Sequence, residues 1–150
     1  MIYADTSFLY SLYALDGNTS RAIAVYESDR RRPLLLTPWQ RFEFRNTVRR
    51  AAHEFRRARK PVPFDVGNVL KQLDNDLKTG VLRHAEPDWR ETIRVAEQIS
   101  AAHTEANGQG GVDTCHIAAA VLLQADSFWT FDADQAATAL DFGRFKQVQP

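Results

Sequence analysis

Four acidic residues stand where carboxylates could act together: Asp5, Glu43, Asp113 and Asp132. Asp5 directly follows the apolar triplet Ile2-Tyr3-Ala4, and Asp132 directly follows Ser127-Phe128-Trp129-Thr130-Phe131. Glu43 sits one turn into a helix-like stretch, and Asp113 opens another. Carboxylates a few ångströms apart repel, and they stay ionised only beside compensating positive charge. No lysine accompanies any of the four in its motif. A hard cation is the natural partner, and magnesium, or manganese in its place, suits a site of carboxylates and water. Such an ion lowers the pKa of its bound water and neutralises charge growing on a phosphoryl oxygen. Each acid also has a plainer reading. Asp5 and Asp113 could be helix N-caps, Asp132 a turn residue, and Glu43 a solvated helix glutamate.

For the four to meet, remote segments must reach one rim. Short apolar runs predict strands over 2–4, 33–37, 81–83 and 127–131, with a fifth over 145–148. Helical spacing and breakers predict helices over 6–15 (with Thr6 as its cap), 19–31, 38–59, 64–78, 87–106 and 113–124. The last is apolar nearly all round, which implies burial on several sides. A Gly-rich stretch over 107–111 reads as a flexible connection. Strands alternating with helices predict an α/β fold: a three-layer α/β/α domain on a central parallel sheet of four to five strands. Ligands in such sheets bind at the carboxyl ends of strands, where Asp5 and Asp132 fall.

The chain of 150 residues suits one domain spanning 1–150. Its 44% hydrophobic content is enough for a packed interior and argues against disorder. Formal net charge is zero, so any attraction for nucleic acid must come from local patches. A single cysteine, Cys115, excludes an internal disulfide. No apolar run approaches the roughly 20 residues that span a bilayer. The first residues lack a basic, apolar leader. The expectation is a soluble cytoplasmic protein with no membrane partner.

The ordered set of motifs resembles the PIN-domain family, especially VapC-type toxins of toxin–antitoxin pairs. The resemblance rests on Tyr3-Ala4-Asp5-Thr6-Ser7-Phe8-Leu9, on Phe42-Glu43-Phe44, on 112–120 around Asp113, and on 129–134 around Asp132. It implies a magnesium-dependent ribonuclease, a hydrolase that leaves a 5′-phosphate and a 3′-hydroxyl. It makes Asp5, Glu43, Asp113 and Asp132 the metal-holding acids, with Asp134 as rival or helper of Asp132. Ser7 and Thr130 fall at the hydroxyl positions that support the first and last acids. Gln135-Ala136-Ala137 departs from the pattern, since an aromatic often follows the last acids. The resemblance also implies a homodimer and a small antitoxin partner. A non-catalytic scaffold binding RNA or protein, or a phosphohydrolase acting on small esters, would use the same residues differently.

Basic residues concentrate between Arg21 and Lys60. Arg41, Arg45 and Arg49 form one i, i+4 row. Arg30-Arg31-Arg32 forms a second cluster. Such groups are either solvated flanks or a ridge that tracks RNA phosphates. On a helical wheel the row lies across from Glu43, whereas Asn46 and Arg50 share its side and are the candidates for touching the scissile region.

Overall fold

Strand β1 (Ile2–Ala4) and strand β2 (Leu34–Leu36) are wholly apolar and wholly buried. Strand β4 (Ser127–Trp129) is equally buried. Strands β3 (Leu82–His84) and β5 (Gln147–Gln149) flank them in the order β3-β2-β1-β4-β5. Every neighbouring pair is parallel. Parallel pairs need crossovers, and helices supply them. The computed structural model describes residues 1–29, 31–143 and 145–149.

Helices α1 (Thr6–Tyr13), α2 (Thr19–Ser28), α3 (Pro38–Arg57) and α4 (Val66–Thr79) pack on one face of the sheet. Helices α5 (Trp89–Asn107), α6 (Gly111–Leu122) and α7 (Ala133–Phe142) pack on the other. Alternation along the strands divides the two cores. Ile2, Ala4, Leu34, Leu36 and Trp129 face α1 to α4, where they meet Phe8, Phe44, Val48 and Leu73. Tyr3, Leu35 and Phe128 face the other layer, where they meet Ile99 and the run Ile117–Ala120. The expected three-layer α/β/α fold is therefore present, with five strands. Among the described residues no helix is long and apolar enough to cross a membrane.

From β1 the chain steps outward through β2 to β3, then returns to β4 on the far side of β1. The winding reverses between β1 and β4, so a crevice opens at their carboxyl ends. Asp5 and Thr130 lie at those two ends.

Several local expectations change. Asp5, not Thr6, caps α1, because its carboxylate reaches the Phe8 N–H while Thr6 already lies within the helix. Helix α6 begins two residues before Asp113, which sits in its first turn and accepts from the Gly110 N–H at the cap. Asp132 is neither an isolated turn nor a bare strand end. It caps α7, an element missing from the predicted set although Asp132 and Gly143 bound it, because the alanine-rich Ala133–Phe142 offers no clear apolar stripe. The connection over 107–111 is anchored, since Gln109 is buried and its side-chain oxygen accepts from the Thr138 hydroxyl.

Candidate active site

Asp5 is 4% exposed, and its carboxylate is fully engaged. Oδ1 accepts from the Phe8 N–H and the Ser7 hydroxyl, both at 2.8 Å. Oδ2 accepts from the Thr130 hydroxyl at 2.8 Å and from Ser7 at 2.9 Å. The same two hydroxyls reach onward: Ser7 Oγ accepts from the Phe131 N–H, and Thr130 Oγ1 from the Asp132 N–H, each at 2.9 Å. Ser7 and Thr130 thus tie the end of β1 to the end of β4. The Asp5 N–H donates to the Trp129 carbonyl at 2.8 Å and completes the seam.

This seam floors a cavity of about 460 Å³. Five carboxylates line it: Asp5, Asp16, Glu43, Asp113 and Asp132. No lysine or arginine is among the described lining residues, and His116 is the only basic side chain there. Burial pushes the Asp5 carboxyl above its ordinary pKa, against the opposing pull of His116 and the hydrogen bonds from Phe8, Ser7 and Thr130. Asp113 is pushed up by burial and then by the charge of Asp132, with His116 opposing. Glu43 is half-buried. Burial raises its pKa, but the hydrogen bond and charge of His116, together with the Thr6 hydroxyl, outweigh that and hold it low.

The sequence matches no family model and no curated protein. Its structure is similar to Mycobacterium tuberculosis VapC20, a sarcin–ricin loop cleaving toxin, with a TM-score of 0.60 and 17% identity. The likeness covers 91% of this chain and 94% of that one. The fold is PIN-like.

On this PIN-like frame the four expected acids share one cavity, but they do not close into a ready-made shell. Among the described residues no group of three His, Cys, Asp or Glu side chains is placed to hold an ion as it stands. Glu43 is turned to His116, whose Nε2 lies 2.8 Å from its Oε2. Asp132 spends Oδ1 on the Gln135 N–H at 2.8 Å. The donor set nevertheless fits a hard divalent cation by its chemistry: several carboxylates, Asp5 pushed towards protonation by burial and Asp113 by burial and the charge of Asp132, with no lysine or arginine lining the cavity among the described residues. Carboxylates gathered in this way stay ionised together only beside compensating positive charge, which a divalent cation could supply.

The remaining predicted residues lie elsewhere. Asp134 is exposed in the first turn of α7 and does not line the cavity. Asn46 and Arg50 do not line it either. Thr47, one helical turn from Glu43, takes the place expected for them. Arg41 and Arg45 converge on Asp74 of α4 at 2.7 and 2.5 Å, on the side of α3 away from Glu43. Arg49 is exposed. Arg31 and Arg32 pair with Glu27 and Asp29, and Arg30 lies outside the described residues. Arg21 sits over the Phe131 ring at 6.0 Å, beside the cavity rim. Thr47 was findable from the wheel of α3. Asp16 carried no signal, because only the fold of the turn after α1 brings it to the rim.

Proposed function

We propose that the chain is a divalent-metal-dependent endoribonuclease and the toxin of a toxin–antitoxin pair, built as one catalytic domain over 1–150. One observation carries the reading: five carboxylates line a cavity at the β1/β4 switch point with no lysine or arginine among its described lining residues. The likeness in fold to a toxin that cleaves the sarcin–ricin loop supports RNA as substrate. Asp5, Glu43, Asp113 and Asp132 would hold Mg²⁺, or Mn²⁺ in its place, with Asp134 a reserve acid on the adjoining turn. When bound, the ion supplies a Lewis acid for the phosphoryl oxygen and a water of lowered pKa.

The chain's own residues prepare that site. Ser7 and Thr130 hold both Asp5 oxygens in place and fix the backbone that presents Asp132. Thr6 donates to Glu43. Arg21, over Phe131, offers a guanidinium for an incoming phosphate beside an otherwise acidic wall. Arg41, Arg45 and Arg49 would track more distant RNA phosphates. A homodimer, a small antitoxin and a cytoplasmic location belong to the same reading.

One observation favours a second reading, a non-catalytic scaffold: Glu43 is already paired with His116. Incubating the purified chain with total RNA, with Mg²⁺ or with EDTA, separates them. Cleavage with Mg²⁺ that EDTA abolishes supports the nuclease, and intact RNA under both conditions supports the scaffold. Turnover of a chromogenic phosphate ester with intact RNA would instead indicate a small-ester phosphohydrolase.

A further inference from the structure

His116 is a buried side chain that the reading above leaves without a task. It lies on α6, one turn along from Asp113, and is 2% exposed. Both ring nitrogens are engaged. Nδ1 lies 3.0 Å from the Tyr3 hydroxyl, and Nε2 lies 2.8 Å from Glu43 Oε2. The ring meets Tyr3 edge-on and leans on the Trp39 indole at a centroid distance of 4.7 Å, so its orientation is fixed by packing.

A carboxylate only accepts hydrogen bonds, so the hydrogen between His116 and Glu43 resides on Nε2. Tyr3 is fully buried and keeps its proton, so its hydroxyl can donate to Nδ1. On its other side Glu43 Oε2 also accepts from the Thr6 hydroxyl. Two donors from two helices therefore converge on one oxygen of Glu43. Among the described residues Oε1 has no hydrogen-bond partner, and the side chain lines the cavity.

We propose that His116, oriented by Tyr3, is a positioning residue for Glu43: with Thr6 it pins Oε2 and leaves Oε1 free for a divalent cation. The proposal rests on the metal-dependent reading of the cavity. Partners beyond the ligands orient metal-binding side chains, and losing one typically lowers metal affinity roughly 10–100-fold. The opposite reading, a pair that withholds Glu43 from the ion, predicts the opposite sign.

Mn²⁺ titration calorimetry on the metal-free full chain decides between them. The variants are His116→Leu, His116→Gln, Tyr3→Phe, Glu43→Ala and the double variant His116→Leu/Glu43→Ala, each checked for its fold by circular dichroism. His116→Leu is expected to weaken Mn²⁺ binding roughly 10–100-fold. His116→Gln, whose amide can still donate to Oε2, recovers part of that loss. Tyr3→Phe keeps the ring packing and weakens binding in the same direction by less. In the Glu43→Ala background the His116 substitution adds nothing, as an effect transmitted through Glu43 requires. If His116→Leu unfolds, His116→Gln and Tyr3→Phe carry the test. Unchanged or tighter Mn²⁺ binding in the folded His116 and Tyr3 variants overturns the proposal, as does an undiminished loss in the Glu43→Ala background. If wild type binds but Glu43→Ala binds equally well, only the positioning role falls. If wild type binds no Mn²⁺, the metal-dependent reading falls with it.

Discussion

Replacing Asp5 by asparagine should raise the stability of the metal-free protein while removing its activity. The wild-type carboxylate is buried, and burial pushes its pKa above the ordinary value. A raised pKa means that folding favours the protonated form, so the ionised group is a liability in the folded chain. Asparagine keeps an oxygen for the Phe8 N–H, and its amide can donate to Ser7 and Thr130, whose hydroxyls also accept. The helix cap therefore survives. The gain is expected to be of the order of 0.5–2 kcal/mol, the size of a typical single stabilising substitution. At roughly 2–4 °C per kcal/mol for this chain length, Tm should rise by about 1–8 °C. Asp5→Ala should do the reverse. It loses about 1 kcal/mol of cap and leaves buried donors unsatisfied at about 1–3 kcal/mol. The sign with pH follows directly. Below about pH 3.9 the Asp5 carboxyl is protonated in both folded and unfolded chains, so the asparagine variant gains nothing. The gain develops as pH rises from there through the elevated folded pKa, and it is complete above it. Adding Mn²⁺ should reverse the order, since an ion at about 100 times its Kd stabilises the wild type alone by about 2.7 kcal/mol. Thermal melts with EDTA and with Mn²⁺, beside an RNA cleavage assay, check all of this. A metal-free Asp5→Asn protein that melts below wild type at neutral pH would show that the buried carboxylate is no liability, and one that still cuts RNA would show that Asp5 holds no essential ion.

Thr130→Val removes the hydroxyl shared by Asp5 Oδ2 and the Asp132 N–H; it should cost about 1–3 kcal/mol in urea unfolding and lower Mn²⁺ affinity about tenfold. Phe44→Ala, at a fully buried ring that meets Tyr13 edge-on, should cost about 3–5 kcal/mol of stability and leave the Mn²⁺ affinity of the folded fraction unchanged. Replacing Arg41, Arg45 and Arg49 together by alanine should flatten the dependence of log K on log salt for RNA by about 0.7–0.9 for each phosphate no longer neutralised, read by filter binding. The accompanying stability change should stay below about 1 kcal/mol per ion pair, because the Asp74 pairs are partly open to solvent.

The sheet was legible because its strands are short apolar runs bounded by breakers: the run 2–4 recurs unchanged, and the runs 33–37 and 127–131 contain the shorter strands 34–36 and 127–129. Helix ends shifted where side-chain caps decide them: Asp5 rather than Thr6, Asp65 for α4, Asp88 for α5. Helix α7 was not legible, because its sequence offers alanines and one capping aspartate in place of a clear apolar stripe. At the site, the shared rim of Asp5, Glu43, Asp113 and Asp132 followed from strand ends and helix starts. The Glu43–His116–Tyr3 chain did not, because it joins three segments whose side-chain directions only packing settles. The same limit explains Asn46 and Arg50. An idealised wheel puts them beside Glu43, whereas in the folded chain α1 and α3 meet so that Thr47 reaches the cavity.

The proposed nuclease requires the acids around Asp5 to share a divalent cation. An anomalous difference map from crystals grown with millimolar Mn²⁺ tests it most directly. A manganese peak is expected in the cavity, coordinated by Asp5 and by at least one of Asp113 and Asp132. A cavity without manganese, its acids still held only by Ser7, Thr130 and His116, would contradict it.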